Sequence, residues 1–222
     1  MIDSLFLFFT EVVTLIEIAV IVFGYFNKTY QDKLFKWVYY FMVLSLVTDI
    51  YSKILARLAI NNLHSIHVFL IGEFIFFSLF FKELLKDYLS LKVIKGIAIV
   101  VIGFSIINSI FIQPIHTFNE YARSVEVVFI LFYCFFYLLR VVPKVDNLKD
   151  FRLQKHIFLF VGATGVYFLS LFFFFSLGTL IQKYGLADFF ALYYVLAAII
   201  YFSLIIWVLW IHRKKAGSSL YS

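Results

Sequence analysis

Residues 119–140 read NEYARSVEVVFILFYCFFYLLR. The stretch opens on polar and charged groups, Asn119, Glu120, Arg123 and Glu126, and then turns wholly apolar as far as Arg140. A helix needs about 20 residues to cross the hydrocarbon of a bilayer, and this run has the length. It also reads like a second copy of residues 11–26, EVVTLIEIAVIVFGYF: Glu11 aligns with Glu120 and Glu17 with Glu126, at the same spacing of six. The topology and the candidate site both follow from this pair.

Of the 222 residues, 64% are hydrophobic and 22% aromatic, with a mean hydropathy of +1.00. A soluble domain is nearer half apolar, so an excess of this size predicts a polytopic membrane protein. Two prolines and nine glycines leave little room for long irregular loops. The one cysteine, Cys134, lies inside an apolar run. It excludes an intrachain disulfide and reads as a small buried side chain. The start, MIDSLFLFFTEVV, has no basic region or small-residue cleavage site, so the first apolar segment is expected to be retained.

Seven runs are long and apolar enough to span: 4–26, 34–59, 64–85, 93–113, 119–140, 154–178 and 187–211. In lipid every backbone polar group must be paired within the segment, and runs of this length are too continuous for barrel strands, so helix is predicted throughout. Fifteen Lys and Arg fall on one side, in the connections near 28–36, 82–95 and 140–155 and at 213–215. Four fall on the other: Lys53, Arg57, Arg123 and Lys183. That asymmetry predicts an outside N-terminus and a cytoplasmic C-terminus, with Trp37, Trp207 and Trp210 at the cytoplasmic boundary. The expected setting is a bacterial cytoplasmic membrane. The net charge of +6 is then cytoplasmic charge facing anionic headgroups, and nucleic acid is not an expected partner.

The matches between the first and fifth runs extend to Ile21/Ile130, Phe23/Phe132 and Phe26/Phe135, and the third and seventh share Phe77-Ser78-Leu79 and Phe202-Ser203-Leu204. Residues 1–222 are thus expected to form a single transmembrane domain. It divides into a three-helix repeat at 4–85, a linker helix at 93–113, a second parallel repeat at 119–211 and a polar cytoplasmic tail at 212–222. Parallel repeats are a known transporter plan, with the site between the halves near the midplane.

This outside-N, three-plus-one-plus-three plan resembles, over the whole chain as topology, the SWEET sugar transporters, the PnuC vitamin transporters and the microbial rhodopsins. SWEET-type repeats carry a proline in the first helix of each half, whereas Pro114 and Pro143 here lie in connections. A rhodopsin needs a lysine in its seventh helix, and 187–211 has none, which excludes a retinal Schiff base. No other cofactor is predicted. The string Asn61-Asn62, His67, Glu73-Phe74, with Arg123 and Glu126, is also similar to small bacterial seven-helix proteins, a similarity that implies no activity.

Glu17, Asp49, Glu73 and Glu126 come out near mid-bilayer, where an ionisable group costs on the order of 2.5–3.5 kcal/mol. They are expected to face the bundle interior. Local pairing offers one account, Asp49 with Lys53 and Arg123 with Glu126. Glu17 and Glu73 have no local basic partner. Ser45, Asp49, Lys53 and Arg57 recur every four residues and so share one helix face. Thr164, Tyr167 and Ser170, with Tyr193, Tyr194 and Tyr201, could add hydroxyls to a polar cavity, and Gly162 and Gly165 could allow close helix approach.

The ligand- or proton-binding set expected is Glu17, Asp49, Lys53, Glu73, Arg123 and Glu126, for a small cationic or polar solute. The function expected is a small-solute carrier or ligand sensor with an acid-lined cavity open to the outside, and not an enzyme. One alternative is an intramembrane metal-dependent lipid hydrolase using His64, His67 and His116. Seven-helix hydrolases of the alkaline ceramidase and adiponectin receptor type use three histidines, but theirs include a late pair that is missing here. The other alternative is a receptor or subunit acting through a membrane or cytoplasmic protein partner.

Overall fold

A computed structural model describes residues 2–140, 148–176, 184 and 187–218, and side chains within them except at 2–5, 148–153, 176, 187–191 and 214–218. Lys144, Lys149, Arg152, Lys183, Lys214 and Lys215, used above for orientation, lie outside the described side chains, as do residues 177 and 178 of the sixth run. Among the described residues the chain is all helical: α1 (Ile2–Phe26), α2 (Lys36–Arg57), α3 (Leu63–Leu85), α4 (Leu91–Ile107), α5 (Glu120–Arg140), α6 (Leu148–Ser176) and α7 (Ala187–Ser218).

Three boundaries differ most from expectation. α6 was expected to begin at 154 and begins at Leu148. α4 was expected to reach 113, but its last turn, Asn108–Ile112, widens to a π-helical turn. The Gln113 N–H reaches back to the Asn108 carbonyl at 2.7 Å. α7 was expected to stop at 211, with 212–222 a polar tail, and instead runs through Ser218. Arg213, Lys214 and Lys215 are good helix formers and their charge suits a helix C-terminus. Other ends are fixed by local chemistry. Ser90 Oγ accepts the Lys92 N–H at 3.3 Å to start α4, and Asp32 Oδ1 accepts the Leu34 and Phe35 N–H groups ahead of α2. α2 closes on a left-handed residue, Ala59 (φ 56°). There the Ile60 N–H bonds the Leu55 carbonyl at 2.9 Å and the Ala59 N–H the Ala56 carbonyl at 3.1 Å, a Schellman closure.

Six helices form a ring in the order α1, α2, α3, α5, α6, α7, with α7 back against α1, and α4 packs against α3 and α5. α2 and α3 meet closely at Gly72, where an added Cβ would lie 2.5 Å from Leu44 Cδ2. A Cβ added at Gly165 would meet Cys134 Cβ of α5 at 3.6 Å, an ordinary contact that does not require glycine, and Gly162 faces open space.

The distribution of polarity is inverted relative to a soluble protein. Leu15, Val47, Ile99, Phe111, Leu139 and Ile200 point outward and are exposed, while Glu17, Glu73, Arg123 and Glu126 are buried. An apolar exterior around a charged interior suits a lipid solvent, in which the exterior needs no polar cover. Six helical segments are long and apolar enough to cross a membrane: Phe6–Phe26, Lys36–Arg57, Leu91–Ile112, Glu120–Arg140, Gln154–Phe175 and Leu192–Arg213. The 23-residue α3 is not among them. It carries His64, His67 and Glu73 and buries ten of its residues inside the ring.

Candidate functional site

α1 presents Thr10, Glu11, Thr14 and Glu17 toward the Ser45–Asp49–Lys53 face of α2. The Ser45 hydroxyl donates to Glu17 Oε1 at 2.5 Å, and the Thr14 hydroxyl donates to Asp49 Oδ2 at 2.6 Å. Lys53 Nζ is shared among Asp49 (3.0 Å), Glu11 (3.6 Å), the Thr10 carbonyl (3.2 Å) and the Thr14 hydroxyl. Arg57, the last member of the α2 stripe, is exposed. Glu17 is 2% exposed, and its Oε2 has no hydrogen-bond partner. No Lys or Arg pairs with it at salt-bridge distance among the described residues.

A second cluster joins α3 to α5. Arg123 Nη1 donates to Glu73 Oε2 across the helix pair and to Glu126 Oε2 at 2.8 Å along α5. The guanidinium also faces the rings of Phe168 and Phe175, each 5.7 Å away. Glu126 Oε1 is buried and unpaired. Two acids serve one base here, so the cluster carries net charge −1 when both are ionised and 0 when they hold one proton between them. Glu73, without a local basic partner in the sequence, finds one from 50 residues away.

The structure brings Glu17, Asp49 and Glu73 to the wall of one cavity of about 240 Å³, with Ser45, Tyr167 and Tyr194 among its other lining residues. Lys53, Arg123 and Glu126 do not line it: Lys53 holds Asp49, Arg123 holds Glu73, and Glu126 holds Arg123. Of the hydroxyl residues expected to line a polar cavity, Tyr167 and Tyr194 border the one that holds the carboxylates. Ser170, Tyr193 and Tyr201 border a separate, largely apolar cavity of about 600 Å³ between α6 and α7, where Tyr201 also bonds Thr164 at 3.0 Å and stacks on Tyr167, and Ser170 donates to the Tyr167 carbonyl.

The three outer histidines are not gathered into a metal site. His67 Nε2–H donates to the Thr117 carbonyl at 3.0 Å, which leaves Nδ1 to accept from the Asn119 amide at 3.0 Å, with Ser109 Oγ at 2.7 Å. His64 pairs with the Tyr51 hydroxyl at 2.9 Å. His116 enters through its backbone carbonyl, which accepts from Asn61. Among the described residues no three His, Cys, Asp or Glu side chains stand close enough to hold a metal ion.

Thr14 is a site residue that sequence reasoning missed. Its signal was present, because it lies three residues from both Glu11 and Glu17 and so shares their face. The Asn108–Asn119–His67 network was missed for another reason: its members come from α3, α4 and the start of α5, and no local spacing links them.

At the opposite end of the bundle, Asp32 Oδ2 accepts from His212 Nε2 at 2.9 Å, and His212 Nδ1 meets His156 Nε2 at 3.1 Å. Burial opposes ionisation of Asp32. The His212 hydrogen bond, the Phe35 and Leu34 N–H groups and the His212 charge outweigh it and hold the carboxyl below its ordinary value.

No family model matches the chain, and neither a curated protein nor a solved structure matches it. Fold and site therefore define a class on their own terms: an all-helical, multi-pass membrane protein whose charged groups turn inward around a small polar cavity.

Proposed function

We propose that the protein takes up a small organic cation from the outer side of a bacterial cytoplasmic membrane, as a carrier or a ligand sensor. The observation that carries this reading is Glu17, a buried carboxylate with an unpaired oxygen on the wall of a cavity that also holds Asp49 and Glu73. A buried charge without a partner is costly, and a bound cation removes the cost. Around the cavity five acids (Glu11, Glu17, Asp49, Glu73 and Glu126) face two bases, Lys53 and Arg123. The carboxylates are spread along the wall instead of converging on a point, which suits an extended organic cation better than a metal ion.

The finer topology belongs to the same reading. Seven crossings, counting α3 with the six apolar segments, put the N-terminus outside and the C-terminus in the cytoplasm, and the Lys/Arg asymmetry supports that sense. The cavity then draws on the outer parts of α1, α2 and α3. The parallel repeat is supported by α4 standing outside the ring and by Glu17 and Glu126, at matching positions of α1 and α5, both facing inward.

The test is thermal unfolding of the detergent-purified protein with methylammonium, since a ligand that binds only the folded state raises the midpoint by mass action. The midpoint is expected to rise with methylammonium in the unaltered protein and to stay put in Glu17→Gln, whose amide oxygen can still accept from Ser45. An unmoved midpoint in the unaltered protein with methylammonium and with its longer-chain homologues alike would remove the reading. Counterflow in proteoliposomes then separates a carrier, which exchanges the bound amine, from a sensor, which does not.

A further inference from the structure

A second cavity of about 240 Å³ adjoins the first. Ile66, Phe69 and Tyr194 line both, so they form the partition. The chemistry changes sharply across it. The far side is walled by rings and alkyl groups, with Phe118 stacked on Phe175 at 5.4 Å and Phe174 against Tyr194 at 5.8 Å. Its polar residues are Asn119, Arg123 and, at the partition, Tyr194, and the first two are already engaged. Asn119 bonds Asn108 and His67. Arg123 is held by Glu73 and Glu126 and covered by Phe168 and Phe175.

We infer that the ligand is an amphipathic amine: a cationic head in the Glu17 cavity and an apolar alkyl or aryl body across the partition, among Phe69, Phe118 and Phe175. The inference rests on the cation reading above and narrows it to a substrate class. Two observations point this way together. The unpaired, buried Glu17 Oε2 asks for a donor on one side, and the ring-lined chamber on the other offers contact only to apolar atoms. A zwitterion is disfavoured by the same geometry. Its carboxylate would have to approach Arg123, where two glutamates already oversupply negative charge, or enter an apolar chamber unpaired.

The experiment compares methyl-, ethyl-, propyl- and butylammonium on the purified protein, with butanol, butyrate and 4-aminobutyrate as matched controls for the tail and for added negative charge. Affinity from the midpoint shift is expected to climb about fourfold per added methylene, the factor for moving one such group out of water. The three controls are expected to give no shift. Leu70→Phe places a ring in the second chamber and is expected to cut the butyl-over-methyl advantage to below about threefold by closing off that apolar area. If this variant does not fold, the amine series on the unaltered protein decides alone. Equal binding of methyl- and butylammonium overturns the amphipathic class and leaves the cation reading standing. A shift with butanol equal to that with butylammonium, or binding of 4-aminobutyrate as tight as that of butylammonium, also overturns it. Silence from every amine, methylammonium included, overturns both.

Discussion

The two ends of the bundle are built differently. At the end carrying the α2–α3 and α4–α5 connections lie two cavities, one bordered by carboxylates and one by aromatic rings. At the end carrying the α1–α2 and α3–α4 connections, the interior is filled with rings. There Phe80 and Phe160 lie 4.8 Å apart, Phe35 meets both, and all three are no more than 1% exposed. Asp32, His212 and His156 tie α6 and α7 to the start of α2 across that packed end. Both ends hold buried polar atoms without a hydrogen-bond partner, Glu17 Oε2 and Glu126 Oε1 at the hollow end and the Asn27 amide and Trp37 Nε1 at the packed end, so the ends differ in having cavities beside the charges or rings filling the interior. A binding site needs the first and a seal needs the second.

The largest expected effect breaks the hollow end. Arg123→Met leaves Glu73 and Glu126 buried without a counter-charge, and losing one member of a buried ion cluster costs about 3–5 kcal/mol. The yield of monodisperse protein and its unfolding midpoint are expected to fall sharply. Adding Glu73→Gln and Glu126→Gln to the same chain is expected to restore most of the loss, because no uncompensated charge then remains. A single variant as stable as the unaltered protein would mean that water reaches the glutamates, and the hollow end would be wetter than the burial of Arg123 implies.

The next effect weighs the ends against each other with the same truncation. Phe80→Ala at the packed end opens a void among rings that cannot close around it, at a cost of about 3 kcal/mol. Phe118→Ala at the hollow end removes a ring that already borders a cavity and is 37% exposed. It is expected to cost less than about 1 kcal/mol, as changes outside packed cores do. Denaturation midpoints of the two variants compare them directly. Equal losses would show that both ends depend equally on packing.

A smaller effect sits in Asp32. Its folded value lies below the ordinary 3.8, so the ionised form stabilises the fold. That contribution is complete above about pH 4 and is lost as pH falls through the lowered folded value. Asp32→Asn is expected to unfold at a lower midpoint at neutral pH, with the gap to the unaltered protein closing toward pH 3. A gap of constant size across a scan from pH 7 to pH 3 would place the contribution in hydrogen-bond geometry and not in charge.

How much of this was legible depended on what lipid demands. Helix positions were readable because length and apolarity alone decide whether a segment can span, and the seven helical segments fall where the apolar runs predict. The inward placement of Glu17, Glu73 and Glu126 was readable because a mid-bilayer acid has nowhere else to go. Rotation about each helix axis was not readable. It is what joins Glu73 to Arg123 and what takes up both nitrogens of His67 away from any metal. Nor could composition show which of 31 phenylalanines line a chamber and which meet lipid, since both surroundings are apolar. The π turn at Asn108 rests on its carbonyl and on its side-chain bonds to Gln113 and Asn119, partners that hydropathy does not register.

The smallest expected effect tests whether the hollow end also stores backbone strain. Ala59 sits at φ 56° in the closure of α2, a conformation that costs an L-residue with a Cβ roughly 1–2 kcal/mol and a glycine almost nothing. Against this, glycine gives the unfolded chain more freedom, worth about 0.4–1 kcal/mol. The balance predicts that Ala59→Gly stabilises by about 0.5 kcal/mol, a rise of a degree or so in midpoint. The residue leads directly into Asn61 and Asn62, which bond the His116 and Ser52 carbonyls and so fix how α3 enters the bundle. If the strain serves only the turn, amine binding in the variant matches the unaltered protein. If it sets the tilt of α3 and hence the position of Ile66 and Phe69 in the partition, the more stable variant binds less well. Lys28, in the α1–α2 connection at the packed end, holds the same left-handed conformation (φ 55°), so that outcome would tie the effect to the path of α3 and not to strain as such.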